Sequence, residues 1–260
     1  MITFPSKYLP ETHAYLANCT TKPTAVWTVA LNTLIQTLII NGVWANLDRM
    51  WIFATTAQQN ARISIINPTS TLVTEGGTPT WTAKQGYTGN GSSMYLNTNF
   101  NPNTQEVRAS LNSTAYGIYT RTQPAAATAV EMGARNIATT VYDYLCLNFT
   151  AIGKYAKVND GTASPGVKVA DTTKGLVSAV RTTSTAQSIW VNGSSIATSA
   201  DASVSVIDEA IYVLCYNLGG VAASFSSAQL SMAYFGSSSI DQLKFYNAFQ
   251  TFMTTLGTQV

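Results

Sequence analysis

GLVSAVRTTSTAQSIWVNGSSIATS, residues 175–199, decides the fold class. GLVSAVR and SIWV are short runs rich in β-branched and aromatic residues, with a periodicity of two, as strands require. Asn192-Gly193 separates SIWV from SSIATS, and this dipeptide supplies the positive φ angles of a type I′ hairpin turn. The same texture extends in both directions from about residue 60. ISII, TLVT, TWTA, SMYLNT, GIYTRT, YLCLNF, AIYVLCYN and QLSMAYFG follow one another, separated by Gly, Asn, Ser and Pro. Many short strands with regular turn signals predict a β-sandwich or a barrel.

The ends read differently. Residues 1–20, with Pro5 and Pro10, read as an irregular arm. A helix is predicted from near Pro23, with Thr21 or Thr24 as its cap and Gly42 at its end. Trp27, Leu31, Leu34, Ile35, Leu38 and Ile39 recur on its apolar side. A second short turn is expected around Trp44, Leu47 and Met50, followed by the strand WIFATT. After Gly236 an amphipathic helix is expected, with Ser239 and Gln242 as a capping box and Gly257 at its end. Its predicted apolar face is Ile240, Leu243, Tyr246, Phe249 and Met253. The pattern changes near residues 57–61. The expected division is therefore an arm and helical attachment segment, 1–58, and a sandwich with a closing helix, 59–260.

Charged residues make up 10% of the 260, against roughly 25% in an average soluble domain. Hydrophobic residues make up 46%, so the chain can bury a core and is not a disordered one. Surfaces of Thr, Ser and Asn suit β-sheets and tight assemblies better than a freely soluble enzyme. The net charge of +2, with no Lys/Arg cluster, gives no footprint for nucleic acid. The apolar stretch Val26–Ile40 is interrupted by Asn32, Thr33, Gln36 and Thr37, short of the ~20 apolar residues of a membrane span. No secretory leader is read at the start. Cys19, Cys146 and Cys215 are odd in number and far apart, and read as buried thiols.

Catalytic constellations are sparse. His13 is the single histidine. No GxSxG elbow accompanies it, and no Cys/His cluster indicates zinc. GYTGNGSS lacks the GK[ST] ending of a phosphate loop and reads as a turn. A glycosidase needs two carboxylates flanking the bond. The residues available for that are Glu131, Asp143, Asp160, Asp171, Asp201, Asp208 and Glu209; of these Asp143, Asp160, Asp171 and Asp201 read as solvated turn residues, and the adjacent Asp208 and Glu209 would point to opposite faces of a strand. Trp51, Phe53, Trp190 and Tyr212 sit in apolar strand patterns and read as core. Tyr142 and Tyr144 share one face of a strand, and with Tyr116 and Tyr119 they are the candidate ligand contacts, since sugar rings stack on exposed aromatics.

Three stretches, taken in order, resemble a group of bacteriophage proteins. They are NGVWANLDRMWIFATT (41–56), TPTWTAKQGYTGNGSSMYLNTNFNP (78–102) and AQLSMAYFGSSSIDQLKFYNAFQTFMTTLG (228–257). The group comprises virion or tail-associated proteins with a LamG-like, concanavalin A-like jelly roll. SIWVNGSSIA (188–197) resembles the strand, Asn-Gly, strand hairpin of such sandwiches. The resemblance runs from about residue 40 to residue 257. It implies a mainly β jelly-roll sandwich with an N-terminal helical segment and a C-terminal amphipathic helix. It also implies a structural part of a virion, in capsid or tail, made in the host cytoplasm. The alternative is a carbohydrate-binding adhesin that recognises the host, and the third reading is a polysaccharide depolymerase. The expected partners are other virion proteins, further copies of the chain with a trimer favoured, and a host-surface glycan. LamG-like domains often bind glycans or proteins at one rim, some with Ca²⁺, but no acidic cluster here matches such a site, so no metal or other cofactor is assigned. The chain is expected not to be an enzyme.

Overall fold

The Asn192-Gly193 turn forms as the sequence requires, with φ of 49° and 82°. It joins two strands whose partners extend in register across a broad sheet. The structure is a computed structural model that describes residues 7–70, 73–150, 153–161 and 164–260. The strands are β1 Leu47–Ile52, β2 Thr74–Gly76, β3 Thr80–Thr82, β4 Gly86–Thr88, β5 Tyr95–Asn97 and β6 Thr114–Thr120. They continue with β7 Met132–Asn136, β8 Val141–Phe149, β9 Gly153–Gly161, β10 Val167–Val169, β11 Gly175–Thr183 and β12 Ala186–Val191. The last are β13 Ser194–Ser199, β14 Tyr212–Val213, β15 Tyr216–Leu218, β16 Val221–Ala223 and β17 Gln229–Gly236. The helices are α1 Pro10–Asn18, α2 Ala25–Ile40, α3 Gln58–Ala61, α4 Pro102–Gln105 and α5 Gln242–Thr255.

Among the described residues the strands form two sheets. The first has the order β13-β12-β11-β6-β17-β4-β3, with β1 also on β17. The second has the order β10-β9-β8-β7-β14-β5-β2, with β15 and β16 beside β7. All pairings are antiparallel except β15 with β7. The fold is therefore a mainly β sandwich with a few helices. The segment GYTGNGSS crosses from β4 in one sheet to β5 in the other. Its Asn90 side chain accepts from the backbone N–H groups of Ser92, Ser93 and Met94, and this makes the segment a turn.

Strand alternation sorts the apolar residues into two cores. Tyr116 and Ile118 of β6 point between the sheets, with Phe235, Leu145 and Val213. Ala115 and Tyr119 of the same strand point the other way, against Trp27, Leu31, Phe249 and Phe252. All seven residues of β6 are buried, because helices α1, α2 and α5 cover the outer face of the first sheet. The molecule thus has three layers: helices, first sheet, second sheet. Among the described residues, no helix lies on the outer face of the second sheet.

Several expectations are corrected. The arm is not irregular over its described part: Pro10 starts α1, where its missing N–H costs nothing, and Tyr15 anchors the helix by donating to the Asn60 carbonyl. Thr24, not Thr21, caps α2. Only Trp44–Asn46 form the expected short helical turn; Leu47 and Met50 belong to β1, which lies N-terminal to residue 58 and pairs with β17 along its length. ISII (63–66) makes a single bridge, between Ser64 and Trp51, and no strand. Thr71 and Leu72 of the expected strand TLVT, like residues 1–6 of the arm, lie outside the described residues. Asp241, not Ser239, caps α5 by accepting from Lys244 N–H. The buried face of α5 is Phe245, Ala248, Phe249, Phe252 and Met253, while Leu243 is exposed. Gly257 ends it as expected: Gly257 N–H donates to Thr254 and Thr258 N–H to Met253. No described helix is long and apolar enough to cross a membrane.

Candidate functional site: an aromatic face on the second sheet

Strand β8 explains how the site arises. Val141, Leu145 and Leu147 enter the core between the sheets. Their neighbours Tyr142, Tyr144 and Cys146 therefore face outward. Register then adds partners from the flanking strands. Arg135 on β7 lies opposite Tyr142, Lys157 on β9 opposite Tyr144, and Lys168 on β10 opposite Tyr155. The rings meet edge to face: Tyr142 and Tyr144 at 5.8 Å, Tyr144 and Tyr155 at 5.1 Å. Phe149 lies against Tyr155 at 4.3 Å. Tyr142, Tyr144, Cys146, Phe149 and Tyr216, with Thr128, Val130 and Ser224, line a cavity of about 180 Å³. Burial and the Tyr155 contact push the Tyr144 hydroxyl well above its ordinary value, so it stays a neutral donor. Burial raises the Cys146 thiol in the same way, so it lines the cavity as an apolar wall and not as a thiolate.

The four candidate tyrosines divide into two pairs. The structure brings Tyr142 and Tyr144 together, half-exposed, on this face. Tyr116 and Tyr119 are not ligand contacts. Tyr116 is wholly buried, stacked on Phe235 at 5.8 Å, and donates to the Lys157 carbonyl. Tyr119 is wholly buried against Phe249 and donates to Gln250. Both lie on β6, a strand covered on both sides. Sequence reading missed Arg135, Phe149, Tyr155, Lys157, Lys168 and Tyr216. KYAKV, residues 154–158, carried the signal for two of them, since Tyr155 and Lys157 alternate with Ala156 and Val158. Its lysines masked the strand, because they lower the apparent β-propensity.

The seven carboxylates do not all lie in solvated turns. Glu131 and Asp143 are fully buried. Glu131 accepts from the Leu147 N–H and the Ser226 hydroxyl. Asp143 accepts from the Asn159 N–H. Asp171 pairs with Lys154, Asp208 accepts from Asn101, and Glu209 from Asn217. Asp160 and Asp201 converge: the Gln187 amide donates to one Oδ2 at 2.7 Å and to the other at 3.3 Å. This puts them closer together than the ~10 Å limit for a glycosidase pair. They border an open groove of about 530 Å³ with Thr140, Gly161, Ser164 and Val204. Burial alone would raise Asp201. Hydrogen bonds from Ser199, Ser164 and Gln187 outweigh it and hold the carboxyl below its ordinary value. An ionised Asp201 is suited to a base or nucleophile and not to a proton donor. Among the described residues, no group of three or more His, Cys, Asp or Glu can hold a metal ion. The three cysteines are buried and free.

No family model matches the chain, and no curated protein matches it. Solved structures do. Domain 4 of AbnA, a GH43 extracellular arabinanase from Geobacillus stearothermophilus in complex with arabinotriose, aligns with a TM-score of 0.53. The alignment covers 78% of this chain and 98% of that one, at 12% identity. The fold is shared with carbohydrate-active proteins. A Trypanosoma rangeli sialidase mutant displaying trans-sialidase activity gives a TM-score of 0.50 over 87% of this chain, at 11% identity. The same sialidase in complex with sialic acid gives 0.50 over 85%, at 10% identity. This chain spans 39% of either sialidase chain. At such identities the likeness is one of fold. It overturns the expectation that the chain is not an enzyme, because the fold is one that enzymes, an arabinanase and a sialidase, carry.

Proposed function

We propose that the chain is a carbohydrate-binding β-sandwich module, and that it binds sugar on the outer face of the second sheet. The observation that carries this is the outward cluster Tyr142, Tyr144, Phe149 and Tyr216 around one cavity. Aromatic side chains left half-exposed on a sheet that buries its other face offer a stacking surface with hydroxyls at its edge. The shared fold with an arabinanase domain solved with arabinotriose supports the same reading. Tyr142→Ala tests it. Calorimetric titration against a glycan panel should show binding by the native chain and at least a tenfold loss in the variant, since losing a stacked ring removes roughly 1.5 kcal/mol or more. Unchanged binding in the variant would move the site elsewhere, and no binding by the native chain would end the proposal.

We further infer a setting, a bacteriophage virion, in which this module is a structural or host-attaching subunit. The resemblance of residues 41–56, 78–102 and 228–257 to phage proteins supports it, as does the low charge. One structural feature fits as well. Helix α2 leaves Val26, Val29 and Ile40 exposed on the side of the molecule opposite the aromatic face. A module attached through its helical layer would keep the aromatic sheet turned outward.

A further inference from the structure

The aromatic face is also cationic, and the two properties are interleaved by register. Three successive strand pairings each set a cation opposite a ring: Arg135 with Tyr142, Lys157 with Tyr144, and Lys168 with Tyr155. The Arg135 guanidinium and the Lys157 ammonium each lie 4.7 Å from the centre of the Tyr142 ring. The Lys168 ammonium lies 5.2 Å from Tyr155 and 5.9 Å from Phe149. In a chain with only 14 Lys and Arg, three on one patch is a concentration of charge. The cavity lining contains no Asp or Glu. Asp160, which acts on Lys157, is committed to the rim by Gly161 N–H, Ser164 and Gln187. Arg135 also has an unused donor: its Nε is buried without a hydrogen-bond partner. The same guanidinium also bonds the Tyr216 hydroxyl, so Arg135 joins two rings of the face.

We propose that this face takes an acidic oligosaccharide, with its apolar ring surfaces on the tyrosines and the carboxylates of different sugar units at Arg135 beside Tyr142 and at Lys168 beside Tyr155; Lys157, buried and donating to the Gly161 carbonyl, adds positive charge beneath the Tyr142 ring. The inference rests on the glycan-binding reading and adds the class of ligand. The Arg135 guanidinium and the exposed Lys168 ammonium each match a carboxylate, and such charge-assisted bonds are about twice as strong as neutral ones. Cation–π pairing alone would stabilise the sheet without any ligand, and the test is built to separate the two roles.

The probes are oligomers of glucuronate, galacturonate, mannuronate and sialic acid, each as the free acid and as its neutral methyl ester. Calorimetry on the full chain should give at least one free acid bound roughly tenfold tighter than its ester. That preference should shrink as salt is raised, because Lys168 is exposed and Arg135 half-exposed, and salt screens such charges. Lys168→Gln, at an exposed position, and Arg135→Gln should each narrow the gap between the acid and its ester. Tyr142→Ala should remove both. Thermal melting of each variant reports any loss of fold. Acid and ester binding equally would overturn the acidic ligand and leave the glycan-binding reading standing. Binding of no member of the panel would overturn both. An acid preference that survives Lys168→Gln and Arg135→Gln would remove these residues from the site.

Discussion

Glu131 and Asp143 are carboxyl groups placed where a charge is costly. Both are fully buried, and burial pushes each up to about 8. Hydrogen bonds from Ser226 and the Leu147 N–H pull Glu131 part of the way back; the Asn159 N–H and the Arg181 guanidinium do the same for Asp143. The folded chain therefore holds two protons that the unfolded chain releases from 3.8 and 4.5 upward. Stability from this source is greatest at low pH and declines as pH rises toward about 8. The melting temperature should be higher near pH 5.5 than near pH 8.5, and Glu131→Gln should flatten the slope. A slope left unchanged by that substitution would show that Glu131 is ionised in the fold. Near Asp143, Arg181 is itself buried, donating to the carbonyls of Val158, Thr183, Ser184 and Asp201. Sequence gave no sign of this polar end of the core, because Asp143 and Arg181 are 38 positions apart in the chain and meet only across the sandwich.

Helix α5 shows how an element can be legible in kind and misread in detail. Its existence, its amphipathic character and its glycine stop follow from local pattern. Its buried face does not. Spacing allows either the Leu243–Tyr246 side or the Phe245–Phe252 side to be buried, and the second wins because it meets Trp27 and Tyr119. The Trp27 ring stands edge-on to Phe252 at 6.0 Å, and its Nε1–H donates to the Ala54 carbonyl at 2.9 Å. Phe249 fills the space between Tyr119 and Phe252. Phe249→Ala should cost about 3–5 kcal/mol in denaturant unfolding, the usual penalty for an aromatic removed from a packed core. Leu243→Ala, on the exposed side, should change it by well under ~1 kcal/mol. Equal costs would mean that α5 docks through the other face. Strand β9 was missed for a related reason: its lysines look like a solvated stretch until β8 and β10 are seen on either side.

The molecule as a whole has two very different outer surfaces. Helices cover one sheet, and the other sheet presents aromatic rings and cations. This asymmetry favours a subunit with one attached side and one presented side. We propose that the chain is an oligomer, with a trimer favoured, on the strength of its low charge. Light scattering coupled to size exclusion should give a mass near three chains, and a stable monomer across micromolar concentrations would count against assembly through the helical layer.

The sequence by itself determined the class of the fold and the position of many of its parts. Period-two runs, the Asn192-Gly193 turn and the capped helices are local properties, set by backbone sterics and side-chain shape within a few residues. It also determined that Tyr142 and Tyr144 share a face, because alternation along one strand needs no partner. What it left undetermined was which faces are open. Tyr116 and Tyr119 look as exposed as Tyr142 in the linear pattern, yet two layers close over β6 and, among the described residues, none covers the outer side of β8. That difference is decided by the docking of α2 and α5 on the first sheet. The cations reach the rings in the same non-local way, through the register of β7, β8, β9 and β10, which only tertiary structure sets.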